Sequence, residues 1–99
     1  MIIASAVKVT KDDVTFVIMG RRHCSCFRVM EKAGVKRPFE EEQGFVTDKF
    51  VFVTRLEAKR IAEECNQILE GEGMYRELFS EDIFEPVPSD MTGHGEVSI

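Results

Sequence analysis

The sequence predicts an α+β fold, a mostly antiparallel sheet of about four strands with two helices on one face. Three observations predict it. Residues 2–9 and 14–19 are rich in β-branched side chains and flank the turn-like Lys11-Asp12-Asp13, the pattern of a β-hairpin. Residues 44–47 and 50–53 repeat that pattern around Asp48-Lys49. Each strand pair is followed by a segment whose apolar residues recur at every third or fourth position, the period of a helix buried along one side. The order is ββα, then ββα, then a closing segment, and the two halves do not superpose well enough to count as a repeat.

Each element has a local reason. Gly20 punctuates the end of the second strand, and over residues 22–33 His23, Cys26, Phe27, Met30 and Ala33 form a helical stripe that Gly34 is placed to stop. Pro38 and Glu40-Glu41-Glu42 make a solvated connection to the second hairpin. Thr54-Arg55-Leu56-Glu57 is a capping box, in which the Thr hydroxyl accepts from the Glu57 amide while the Glu carboxylate reaches back to the Thr amide. The helix it starts carries Ala58, Ile61, Ala62, Cys65, Ile68 and Leu69 on one stripe, and Gly71 is the expected end. Residues 72–77 read as a linker and 78–84 as a short docking segment. Two prolines, two glycines and few large apolar side chains make 85–99 a flexible C-terminal tail. The expectation is one ligand-binding domain over residues 1–84.

Composition narrows the class of function. An apolar fraction of 43% with 31% charged residues is that of a soluble globular protein. No apolar run nears the roughly 20 residues that cross a bilayer, and the N-terminal MIIASAV lacks the basic flank of a signal peptide. Three cysteines suit reduced thiols in a cytoplasm better than a disulfide framework. Charge is polarised along the chain, with eight Lys/Arg against three Asp/Glu in residues 1–39 and five against fifteen in 40–99. A net charge of −5 with one basic stretch argues against polymeric nucleic acid, which needs many phosphate contacts. It fits a small anionic ligand better.

The stretch Gly20-Arg21-Arg22-His23-Cys24-Ser25-Cys26 concentrates the chemistry. In a helix Cys24 and Cys26 lie about 200° apart, so they do not clamp one metal ion, and no second ligand pair exists. Cys24 beside two arginines is a candidate for a lowered thiol pKa, yet His23 points about 100° away from it and no base or orienting group completes a nucleophile. No Ser-His-Asp pattern, P-loop or HExxH is present. An anion cradle remains: a strand end, a turn at Gly20, the amides of a helix start, and the forked donors of Arg21 and Arg22 with His23 beside them. Ion pairing of these arginines with Glu40–Glu42 is the alternative. Phe45 fits either a stacking ring after Gly44 or a core strand residue, and Thr54-Arg55 offers a second helix start with a guanidinium. Together these suit a nucleotide-like ligand with two phosphates. No cofactor and no metal are expected.

These residues also carry a resemblance. Gly20-Arg21-Arg22-His23, Glu42-Gln43-Gly44-Phe45, residues 52–58 (FVTRLEA) and Leu78-Phe79-Ser80-Glu81-Asp82 follow, in order and over residues 20–82, the GRRH, EQGF, FVxREEA and LFSED blocks of a family of bacteriophage proteins. The chain resembles the phage anti-Thoeris sponge family. That resemblance implies a non-enzymatic protein that sequesters a cyclic ADP-ribose isomer made by TIR-domain immune enzymes in the cytoplasm of the infected bacterium. It also implies a homo-oligomer with pockets shared between protomers, and for some members a second site for cyclic oligonucleotides. By the same resemblance Arg21 and Arg22 grip phosphate, Phe45 stacks on the base, and Arg55 and Ala58 line the pocket. Thr54 stands where the family often has Asn, and as a threonine it also serves as an N-cap. The alternative functions are a small module docking on a host protein through its basic first helix and the acidic patch after Pro38, or a protein that sequesters cyclic oligonucleotide signals.

Overall fold

The computed structural model describes residues 1–85 and has the predicted architecture. Strands β1 (Ile2–Lys11), β2 (Val14–Gly20), β3 (Glu40–Thr47) and β4 (Phe52–Thr54) form one antiparallel sheet in the order β2-β1-β3-β4. Helix α1 (His23–Lys32) follows the first hairpin, α2 (Arg55–Glu64) follows the second, and a single turn, α3 (Ser80–Ile83), is the last element of the described residues. The expected tail lies outside the described residues apart from Glu85.

The first hairpin is as tight as a hairpin can be. Lys11 pairs with Val14, leaving Asp12 and Asp13 as a two-residue loop with φ of 53° and 66°. Positive φ at both positions is the turn whose twist matches that of the flanking strands, and aspartate is among the few side chains that adopt it.

Both helices cover the same side of the sheet, by register. Ser5, Val7 and Val9 share a face, Ser5 lies opposite Phe45, and an irregularity between Ile2 and Ala4 turns Ile2 back to that face as well. Val7 and Val9 pack on Cys26 and Met30 of α1. Ile2 and Phe45 pack on Ala58 and Ala62 of α2, with Leu78 and Ile83 of the closing segment. The core is thus two clusters side by side, and Ser5 sits on the seam between them.

Helix α2 is shorter than its sequence stripe predicts. It ends at Glu64 with Cys65 as C-cap, not at Gly71. Asn66 takes the left-handed conformation at φ 59°, its amide bonds Glu63 O, and the Gln67 amide bonds Ala62 O at 2.8 Å, a complete Schellman ending. The turn redirects the chain so that Gln67 pairs with β1 as a strand would, accepting from the Ile2 amide at 2.8 Å and donating to the Ile2 carbonyl at 2.7 Å. Cys65, expected in the core, is consequently exposed, whereas Cys26 is buried as expected.

At the other end of α2 the capping box forms as read. Thr54 Oγ1 accepts from the Glu57 amide at 3.2 Å and Glu57 Oε1 accepts from the Thr54 amide at 3.0 Å. Thr54→Ala is expected to cost about 1 kcal/mol, read as a lower midpoint in urea denaturation.

Candidate functional site

The chain brings three of the sequence-predicted residues to one place. Arg22, His23, Cys24, Arg55, Phe79, Ser80 and Glu81 line a surface cleft of about 350 Å³ where the starts of α1, α2 and α3 converge. The topology explains the meeting. The α1 start follows β2, the α2 start follows β4, and the closing segment lies between them because Leu78 is fully buried in the α2 cluster.

Arg22 is the N-cap residue of α1, in an extended conformation with no side-chain cap. Its guanidinium stands 3.8 Å from the Glu81 carboxylate, an ion pair that is mostly exposed on the Glu81 side and contributes about 0–1 kcal/mol. The Glu40–Glu42 run instead meets Lys8 and Arg37, so it does not neutralise Arg22. Arg55 is fixed far more firmly. It donates to the Leu78 carbonyl at 2.7 Å and to Gln43 Oε1, and its guanidinium lies 4.8 Å from the centre of the Phe79 ring. Burial lowers its basicity, while Glu77, Glu81 and Asp82 act in the opposite direction. The position is therefore a preorganised cation on an aromatic platform.

His23 forms the floor and is buried. Its Nε2 is 2.8 Å from the Gly44 carbonyl and its Nδ1 is 2.5 Å from Ser80 Oγ. Ser80 Oγ also accepts the His23 amide at 3.1 Å and lies 2.8 Å from Ser5 Oγ. Burial is the main reason that the imidazole is held below its ordinary pKa.

The remaining predicted residues lie elsewhere. Arg21 points the other way, donating through Nε to the Glu85 carbonyl at 2.9 Å and lying over Phe84. Phe45 is not in an open turn: it is a β3 residue, wholly buried, with its ring edge-on to His23 at 5.0 Å. Ala58 is also fully buried, in the α2 cluster, and Thr54 is occupied as a cap. Within one chain, then, neither Phe45 nor Ala58 presents a surface to a ligand. The aromatic ring that does line the cleft is Phe79, which sequence reasoning assigned to packing. In the structure Phe79 is a half-exposed ring between a buried Leu78 and a buried Ser80, an exposure that no local sequence pattern marks.

The thiols divide as helical geometry predicts. Cys24 is exposed on the cleft, and Cys26 is buried with Sγ 3.6 Å from the Ser5 carbonyl, its pKa pushed up to about 11 by burial. Among the described residues no group of three metal-binding side chains comes together, and no helix is long and apolar enough to cross a membrane.

Another cleft, of about 480 Å³, is lined by Val29 of α1 together with Val17, Ile18, Met19, Val46, Phe50 and Phe52. It is larger than the first, but its lining side chains are apolar, so it lacks the donors that would orient a phosphate. With this geometry in hand, comparison with known proteins gives one relation: a family described as the phage T4 y16D protein matches residues 1–84. No curated protein and no solved structure matches the chain.

Proposed function

The chain belongs to the phage T4 y16D protein family, and from that premise we propose that it is an anti-defence protein that binds and sequesters a cyclic ADP-ribose-type messenger without cleaving it. One observation carries the reading: the cleft is lined by both Arg22 and Arg55, with the Arg55 guanidinium over the Phe79 ring. Two forked cations suit a pair of phosphates, and an aromatic face suits a base. Sequestration requires no reacting group. Ser80 and His23, the pair nearest to a catalytic one, are both buried and committed to backbone and hydroxyl partners.

The cleft is near the small end of the roughly 300–1,000 Å³ typical of ligand sites, so a nucleotide with two phosphates would project from it. A second protomer would complete the enclosure. The strand that favours such an assembly is β2, the longer of the two edge strands among the described residues. It carries no charged residue, and Val14, Phe16, Val17 and Met19 are exposed along it, the opposite of a protected edge. The same edge favours the second reading, in which β2 accepts an extended segment of a host protein.

Calorimetry with a panel of cyclic ADP-ribose isomers tests the function. The expected result is binding of at least one isomer, with the intact compound recovered after heat denaturation of the protein. Recovery of a cleaved product would make the protein an enzyme, and absence of binding by every isomer would leave the host-protein reading.

A further inference from the structure

We propose that anion binding in this cleft is coupled to uptake of one proton by His23, through a buried relay running from the imidazole through Ser80 and Ser5 to the carbonyl of Arg21. The inference rests on the reading of the cleft as an anion site and adds to it how binding is regulated. The argument is a count of protons.

Four contacts at hydrogen-bond distance are strung along this relay. His23 Nε2 meets the Gly44 carbonyl at 2.8 Å, His23 Nδ1 meets Ser80 Oγ at 2.5 Å, Ser80 Oγ meets Ser5 Oγ at 2.8 Å, and Ser5 Oγ meets the Arg21 carbonyl at 3.1 Å. Each contact needs one hydrogen between its two atoms. The two hydroxyls supply two and a neutral imidazole supplies one, which leaves one contact with lone pairs facing each other. Moving the imidazole proton to Nδ1 only transfers the deficit to the Gly44 carbonyl. An imidazolium supplies the fourth proton. Nε2 then donates to Gly44, Nδ1 to Ser80, Ser80 to Ser5 and Ser5 to the Arg21 carbonyl. Ser80 Oγ also keeps the His23 amide at 3.1 Å, which fills both of its acceptor positions. The network is saturated only when His23 is charged.

The surroundings oppose that charge in the free protein. Around the ring are Arg22 and Cys24 from α1, Arg55 from α2, Glu81 from α3, the Gly44 carbonyl and Phe45 ring from β3, and Ser5 from β1. Burial and Arg55 lower the pKa, and the Gly44 carbonyl, Glu81 and the Ala6 carbonyl only partly restore it. The ring is therefore held toward its neutral form. An anion held between Arg22 and Arg55 adds negative charge beside the ring and tips the balance toward the saturated, charged relay. Linkage is reciprocal, so the same proton strengthens binding as pH falls.

The probe is inorganic sulfate, which does not itself titrate near neutrality, used with full-length protein carrying His94→Gln so that His23 is the only imidazole. Sulfate is expected to bind at least about fivefold more tightly at about pH 5.5 than at about pH 8, with net proton uptake in calorimetry across buffers of different ionisation enthalpy. The His23 ring resonances should move toward imidazolium positions as sulfate saturates. Ser5→Ala, a nearly isosteric change at a residue that does not itself line the cleft, leaves two contacts that a neutral ring and Ser80 satisfy; its pH dependence should fall below about twofold. Equal affinity at the two pH values, full pH dependence in Ser5→Ala, or no sulfate binding would each overturn the proposal. If sulfate binds with proton uptake but no cyclic ADP-ribose isomer binds, the coupling stands and the messenger reading fails.

Discussion

Gly44→Ala is expected to remove at least about 3 kcal/mol of stability, a large share of the roughly 5–15 kcal/mol that holds a domain of this size together. A Cβ at this position would stand 2.3 Å from the Val53 carbonyl oxygen and 2.5 Å from the Phe52 ring. The ring could turn away, but the carbonyl belongs to the β3–β4 ladder, where Gly44 pairs with Thr54 and Phe45 with Val53. Relief requires opening that ladder. The damage would also reach the cleft, because the Gly44 carbonyl orients His23. A urea midpoint measurement decides it, with Gly34→Ala as the comparison. Gly34 has φ +77° and nothing within 4 Å of the added Cβ, so only backbone strain of about 1 kcal/mol is expected there. Equal losses in the two variants would contradict the close approach at Gly44.

Arg22→Ala and Arg55→Ala should separate binding from folding. Both are expected to weaken messenger binding at least tenfold, about 1.4 kcal/mol, because each removes a cation from the cleft. Only Arg55→Ala should also destabilise the domain, by about 1.5–3 kcal/mol, since it strips charged hydrogen bonds from the Leu78 carbonyl and Gln43. Among the described residues the Arg22 side chain has its ion pair with Glu81 to lose, so the melting temperature should barely move. Unchanged affinity in Arg22→Ala would remove the cleft from consideration as the binding site.

Much of the fold was legible locally. The Asp12-Asp13 turn, the Thr54 capping box and the Gly34 stop depend on residues within a few positions of one another, and each forms as read. The end of α2 was not, because Ile68 and Leu69 keep the helical period although the chain has already turned at Asn66. What overrides the period is a partner 65 residues away, the Ile2 backbone that Gln67 engages.

The candidate site divides along the same line. By itself the sequence determined that Arg22, His23 and Arg55 stand at helix starts, because capping and strand-to-helix punctuation are short-range. Only the tertiary structure decided that those starts converge, that Phe79 faces the cleft, and that Phe45 and Ala58 are enclosed in the core. The physical reason is that register fixes which face a strand residue takes, and register is a relation between strands distant in sequence. Phe45 faces the helices because it lies opposite Ser5. The same pairing holds the Ser5 hydroxyl within reach of Ser80 and, through it, of His23.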